Sequence, residues 1–322
     1  IEIWGASHTP ELGVRIDGVP AGVSLSESDF EADLSRRRAW AKGTTARHES
    51  DIPIIRTGVS EGRTTGETIE IVFQNSDTRS SDYSQFESHN RPSHVDFTAR
   101  AKYGEGVDLR GSGQFSGRMT LLLVAAGVVA KKIVEGVKYT TKIVEIGGSR
   151  NKAEFDQIVT SAMSEGDSVG GVIECRAEGV KVGLGEPFFD SAESIISHLM
   201  FSVPAVKGVE FGSGFEGVKL RGSERNDCFV DAEGHTATNN EGGINGGITN
   251  GNDLVVRVAI KPTASISREQ MTYNKELGEV APLRIKGRHD ACIVRRAAVV
   301  VEAVVAIALA ELTLVSRLSS LV

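Results

Sequence analysis

The stretch that most constrains this fold is the apolar run at residues 121–134, LLLVAAGVVAKKIV. It is too long for a strand and carries alanines throughout, so it predicts a buried helix. A second run, residues 297–315, is interrupted by Glu302 and Glu311. A carboxylate at bilayer depth is costly, so this run reads as a buried or interface helix and not as a membrane span. No signal-peptide pattern opens the chain.

Strand-like segments surround these helices. Residues 1–4, 14–19, 52–73, 139–146, 170–177, 180–184, 205–211 and 254–260 are β-branched or alternate with period two. Residues 152–163 and 191–200 read as helices, the second with His198 among apolar positions as a structural histidine. Ser26 followed by Asp29 resembles a capping box for a helix through Leu34 that ends in Arg36, Arg37 and Arg38, where cations suit the dipole. Strand blocks interleaved with a few long helices indicate an α+β protein, with no repeat, in a single domain over residues 1–322.

Charge narrows the partners. The 322 residues are 40% hydrophobic and 25% charged, ordinary for a chain with a sizeable core. A formal charge of −7 and a pI near 5.6 argue against a nucleic-acid binder, so local arginine clusters point to a small anion. Cys175, Cys228 and Cys292 are far apart without CxxC spacing, which suggests neither a zinc site nor a disulfide framework and fits a reducing cytoplasm.

The densest chemistry lies just before the first apolar run. The loop GSGQFSG at residues 111–117 leads into the helix, where backbone N–H groups and the dipole favour an anion flanked by Arg110 and Arg118. His94, in RPSHVD, sits upstream with Arg91, Asp96 and Arg100. The plainer alternative is a tight glycine turn, a helix capped by Ser116 and a satisfied loop histidine. His8 is displayed on a turn, GASHTP, after the first strand. Residues 42–49 read as a polar loop able to close over a ligand. GSGFEG at 212–217 matches a dinucleotide fingerprint in spacing, but VKLR follows and alternates like a strand, so the fingerprint is rejected. A second glycine stretch at 239–247 allows close backbone approach, KPTAS at 261–265 has phosphate-binding character, and LRIKGRHD at 283–290 precedes the last helix.

In this order the blocks RTGVSEGRTTGETI, NSDTRSSDY, RPSHVDFT, VGLGEPFFD, AVKGVEFGSGF, NNEGGINGGI, KPTASI and KGRHDAC resemble the chorismate synthase family. The likeness runs from Gly5 to about Ala310 and is weakest over 135–167. It implies a β-α-β sandwich, a homotetramer built as a dimer of dimers, and a cytoplasmic lyase. The implied reaction is the anti 1,4-elimination of phosphate from 5-enolpyruvylshikimate 3-phosphate, giving chorismate and requiring reduced FMN without net oxidation. By motif, His8, His94 and Asp290 correspond to catalytic residues, and Arg37, Lys42, Arg91 and Arg118 to grips on substrate. Ser116, Ala205, Gly246, Lys261, Thr263, Ser265 and Arg288 correspond to flavin contacts. No nucleic acid, membrane or metal is implied, and the flavin is reduced either by this chain or by a separate flavin reductase. The family's usual GESHG reads GASHT here, and GRSSARET reads GQFSGRMT. These departures motivate the alternative of a non-catalytic flavin- or anion-binding protein on the same scaffold.

Overall fold

The computed structural model describes residues 1–38, 42–44, 49–76, 86, 88–286 and 289–319. In chain order these form β1 (Glu2–Gly5), β2 (Glu11–Ile16), α1 (Glu31–Arg37), β3 (Ile54–Thr57), β4 (Val59–Ser60), β5 (Arg63–Thr64), β6 (Ile69–Gln74), α2 (Asp96–Tyr103) and α3 (Thr120–Ile133). Next come β7 (Lys138–Ile146), α4 (Phe155–Ser164), β8 (Gly171–Glu178), α5 (Ala192–Met200), β9 (Val206–Phe211) and the one-turn helices α6 (Gly214–Gly217) and α7 (Gly222–Arg225). The hairpin β10 (Ile244–Asn245) and β11 (Ile248–Thr249), strand β12 (Leu254–Ile260), the hairpin β13 (Gln270–Asn274) and β14 (Glu279–Leu283), and α8 (Val294–Ser319) complete the order.

Two antiparallel four-stranded sheets, β1-β2-β6-β3 and β7-β8-β12-β9, hold the helices between them. Helix α3 packs on β2 and along α8, and α8 packs in turn on β7, β8 and α5. The chain is therefore an α+β protein, as the pattern of strand blocks and long helices predicts, built as the β-α-β sandwich that the resemblance implies. Alternation supplies the inner faces: Leu12, Val14 and Ile16 on β2, Ile69, Ile71 and Phe73 on β6, and Val256, Val258 and Ile260 on β12 are all buried. Each such side chain contributes about 1.5–3 kcal/mol relative to exposure.

Gly127 explains how closely the two long helices approach. A Cβ there would lie 2.4 Å from the Ala303 Cβ, so only glycine permits this crossing, although mid-helix glycine costs about 1 kcal/mol relative to alanine. The apolar length of α8 is covered by protein, since 78% of its most apolar window is buried, and lipid is not needed to shield it.

The capping box forms as expected: the Ser26 backbone N–H donates to Asp29 Oδ2 at 2.8 Å ahead of the 3-10 turn that leads into α1. Two strand expectations fail. Residues 180–184 form a turn whose Gly183 and Leu184 N–H groups both donate to Thr249, to its carbonyl and its hydroxyl at 2.9 Å each. Val180 and Leu184 are buried by that docking and not by a ladder. Residues 218–221 continue the α6 turn through Lys219 N–H to the Glu216 carbonyl at 3.2 Å, with Val218 and Leu220 exposed. The dinucleotide fingerprint still fails, because α6 is a single turn.

Candidate active site

Three helix ends meet at one side of the helical layer. The C-terminus of α1 and the first turns of α3 and α8 open onto a cavity of about 540 Å³, within the range of small-molecule sites. Two helix N-termini point their partial positive charge into the same space.

Eleven of the residues expected to form a site line this cavity: His8, His94, Asp290, Arg37, Arg91, Arg118, Ser116, Ala205, Lys261, Thr263 and Ser265. They come from turns and loops far apart in sequence. Lys42 is exposed and lies off the cavity, where its charge acts on Asp156. Gly246 turns the β10–β11 hairpin, also away from the cavity lining. Arg288 lies outside the described residues, as do Arg79, Asp82, Tyr83 and positions 45–48 of the polar loop. Arg110, expected to flank the anion, is exposed and paired to Asp108 at 2.6 Å.

The loop at 111–116 shows the features of the plainer reading, a tight glycine turn and a serine cap, on the wall of the cavity. Gly111 and Gly113 have φ of 57° and 55°, and a Cβ on Gly113 would lie 2.2 Å from the Asp108 carbonyl oxygen. Ser116 Oγ accepts from the Arg118 N–H at 3.2 Å, so Ser116 caps the turn that leads into α3 while also lining the cavity. His8 lies against this loop, since a Cβ on Gly111 would approach its Nε2 to 3.0 Å. Strain gathers here too: of six non-glycine residues with positive φ among the described residues, Asp51, Ser93, Ser112 and Ala205 line the cavity.

His94 is held from both sides. Its Nδ1 lies 3.1 Å from Asp96 Oδ1 and its Nε2 lies 3.1 Å from the Ser112 hydroxyl. Arg91 locks the same carboxylate through Nε at 2.8 Å and Nη2 at 2.6 Å, and reaches Ser265 Oγ with Nη1 at 3.3 Å. Burial opposes the charge on Asp96, but the Arg91 hydrogen bonds and then His94 outweigh it and hold the carboxyl well below its usual range. Burial pushes the His94 pKa down, and the bond to Asp96 offsets this only in part. Neutral His94 then donates from Nδ1 to the carboxylate and accepts from the Ser112 hydroxyl at Nε2, and both His94 and Ser112 line the cavity.

A second cluster lines the same cavity. Arg37 donates from Nε to Thr120 Oγ1 at 3.1 Å and from Nη2 to the carbonyls of Gly117 and Arg118 at 3.0 and 3.2 Å, bracing the start of α3. Arg118 donates from Nε to Asn75 Oδ1 at 3.1 Å and from Nη1 to Asp51. Asp51 also faces Arg37 Nη1 at 3.6 Å. Arg37 Nη1 and Arg118 Nη2 are buried without a hydrogen-bond acceptor. Burial, then Arg296, lowers the Arg37 pKa, so the protein itself disfavours the positive charge that an anion in the cavity would compensate. On the remaining wall, Thr263 Oγ1 is likewise buried and unpartnered, beside Lys261, whose Nζ donates to the Ser93 carbonyl at 2.8 Å.

Sequence reasoning missed Asp51 and Arg296. Arg296 lines the cavity, donates to both Asp290 oxygens at 3.2 and 3.4 Å, and holds the Arg37 carbonyl through Nε at 3.1 Å. A signal for it existed: Arg295 and Arg296 begin a helix, where the dipole disfavours cations, so each needs a carboxylate elsewhere. No comparable signal marks Asp51.

Comparison with known proteins identifies the family. The family model described as chorismate synthase matches residues 1–314. A chorismate synthase of Chitinophaga pinensis is 51% identical over 99% of this chain and 96% of its own length. One of Methanosarcina mazei is 41% identical over 97% of this chain and 93% of its own. A crystal structure of chorismate synthase superposes with a TM-score of 0.74 at 27% identity, covering 98% of this chain and 91% of that one. The chain belongs to the chorismate synthase family, whose members are lyases of the shikimate pathway.

Proposed function

We propose that this chain converts 5-enolpyruvylshikimate 3-phosphate to chorismate and phosphate by 1,4-elimination, with reduced FMN bound in the same cavity. The observation that carries the reading is the pair of buried guanidinium nitrogens without hydrogen-bond acceptors, Arg37 Nη1 and Arg118 Nη2, on two residues that line the same cavity as His94. A phosphate satisfies such donors, and charge-assisted bonds to it strengthen as the leaving group gathers negative charge.

Arg91 and Arg296 stay engaged with Asp96 and Asp290 and serve as orienting groups for His94 and for the carboxylate beside the cavity. The approach of a dianion raises the proton affinity of His94, which its burial has lowered, so that Nε2 can hold a proton for the departing phosphate or the flavin edge. His8, on the opposite side of the Gly111 loop, is the second acid–base candidate.

The residues present fit a flavin. Thr263 Oγ1 is buried without a partner, Lys261 supplies a cation, and Ser265, Ser116 and the Ala205 backbone continue the same wall. When bound, reduced FMN lends electron density transiently as phosphate leaves. Arg288 is proposed as a further flavin contact, whereas Gly246 and Lys42, the remaining contacts that the resemblance implies, lie off this cavity. The large apolar residues exposed at Phe188, Phe189, Phe215 and Phe229 support assembly into a homotetramer. A reducing cytoplasm and a separate flavin reductase complete the proposed setting.

The test is anaerobic phosphate release from 5-enolpyruvylshikimate 3-phosphate with chemically reduced FMN. Stoichiometric phosphate and chorismate are expected, and folded, flavin-loaded protein that releases neither would refute the reading.

A further inference from the structure

Carboxylates on the cavity wall engage its cations in different ways. Asp96 pairs with Arg91 and His94, and Asp290 pairs with Arg296. Asp51 joins two guanidiniums, those of Arg37 and Arg118, through one oxygen each. It is 3% exposed and sits at φ 50°, a left-handed conformation uncommon for non-glycine residues, among which aspartate is one of the more tolerant. Glu49, nearby on the lining, is already bonded to Ser76 through its backbone N–H and hydroxyl at 2.9 and 2.8 Å.

We propose that Asp51 is a positioning residue for the substrate phosphate. Resting on the lyase reading above, it fixes the plane of Arg118 beside the already braced Arg37 so that the Arg118 Nη2 N–H groups present to the leaving group, while its own charge weakens anion binding. The two effects have opposite signs. A carboxylate that shares its cations with an incoming anion repels that anion, yet without it Arg118 is held through Asn75 alone, while Arg37 keeps its bonds to Thr120, Gly117 and Arg118. The arrangement trades ground-state affinity for orientation, which raises turnover and not binding. It also favours release of the phosphate product.

The substitution Asp51→Asn keeps the shape and one acceptor oxygen while removing the charge. Calorimetric titration with inorganic phosphate is expected to show roughly 4- to 20-fold tighter binding, the Coulomb effect of deleting one charge about 5 Å away at an effective dielectric of about 40–80. Turnover is expected to fall roughly 10- to 100-fold, as for a misplaced reacting group. Unchanged or weaker phosphate binding in folded Asp51→Asn, or unchanged turnover, overturns the proposal. If Asp51→Asn does not fold, Asp51→Glu decides: phosphate affinity within about twofold of the parent with turnover lowered roughly tenfold supports positioning, and parental turnover overturns it. The phosphate titration needs no turnover, so a failure of the lyase reading and a failure of Asp51 are separately visible.

Discussion

Arg36 and Arg37 are neighbours on α1, yet they enter clusters that are completed differently. Arg36 binds Glu302 through two hydrogen bonds of 2.7 Å, and Lys131 and Thr141 reach the same carboxylate at 2.7 Å each. Asp33 takes the remaining bonds of Arg36 and Lys131, at 3.0 and 2.5 Å. Two cations face two carboxylates, and the network is closed. Arg37 and Arg118 share one carboxylate and keep buried N–H groups without acceptors. A closed network holds elements together; an open one in a cavity is a place for a ligand. Deleting a member of the first should therefore remove stability, and deleting a member of the second should remove binding or turnover.

The largest effects should come from the histidines on the open side. His94→Ala or His8→Ala should lower single-turnover rates with reduced flavin by roughly 10²–10⁴-fold with little change in flavin affinity, the range for losing a positioned proton transfer. Full activity in either variant removes that residue from the chemistry.

On the closed side, Glu302→Ala leaves Arg36 and Lys131 to share Asp33 alone and should lower unfolding stability by about 1–3 kcal/mol in denaturant titration. Acid does the same more gradually. Burial opposes ionisation of Glu302, but Arg36, then Lys131 and Thr141, hold its pKa at about 2 against an ordinary 4.5. Because the folded value lies below the unfolded one, this stabilisation is complete above about pH 4.5 and is lost as pH falls toward about 2. Glu302→Gln should flatten that acid limb, and an unaltered limb would mean that the cluster does not set it.

Arg118→Ala tests the open side more gently. Substrate binding should weaken by about 1.5–3 kcal/mol, the worth of a charge-assisted contact, with little change in thermal midpoint. A lower midpoint with unchanged affinity would move Arg118 to the closed class.

How far these clusters could be read from sequence follows from the range of the interactions. Local rules were sufficient for α3, whose start and end fall within a residue of the apolar run, and for β12, which matches 254–260 in full. They misled at 180–184, where buried valine and leucine alternate because a loop docks on the β10–β11 hairpin, a contact set by residues some sixty-five positions away. The site was legible where resemblance carried motifs, since His8, His94 and the arginines do converge on one cavity. Which arginine was closed and which open was not legible. Arg36, Arg37 and Arg38 are identical in type, and only the three-dimensional placement of Glu302 and Asp51 separates the first two. Asp51 shows the limit: a lone aspartate in a polar stretch carries no local pattern, and its role exists only through two cations on α1 and at the start of α3.

The smallest effect should be the sharpest test of the distinction. Thr263 Oγ1 is buried with no partner, which makes it a polar group that the free protein holds at a loss. Thr263→Val keeps the β-branched shape and removes the hydroxyl, so the flavin-free protein should show an unchanged or slightly higher thermal midpoint. FMN binding should weaken by about 0.5–1.5 kcal/mol, the net worth of one hydrogen bond, as read by fluorescence titration. In a closed network the signs would be reversed, with stability lost and ligand affinity untouched. A lower midpoint together with parental FMN affinity in Thr263→Val would therefore place this wall of the cavity with the Glu302 cluster, and the assignment of Thr263 to the flavin would fall with it.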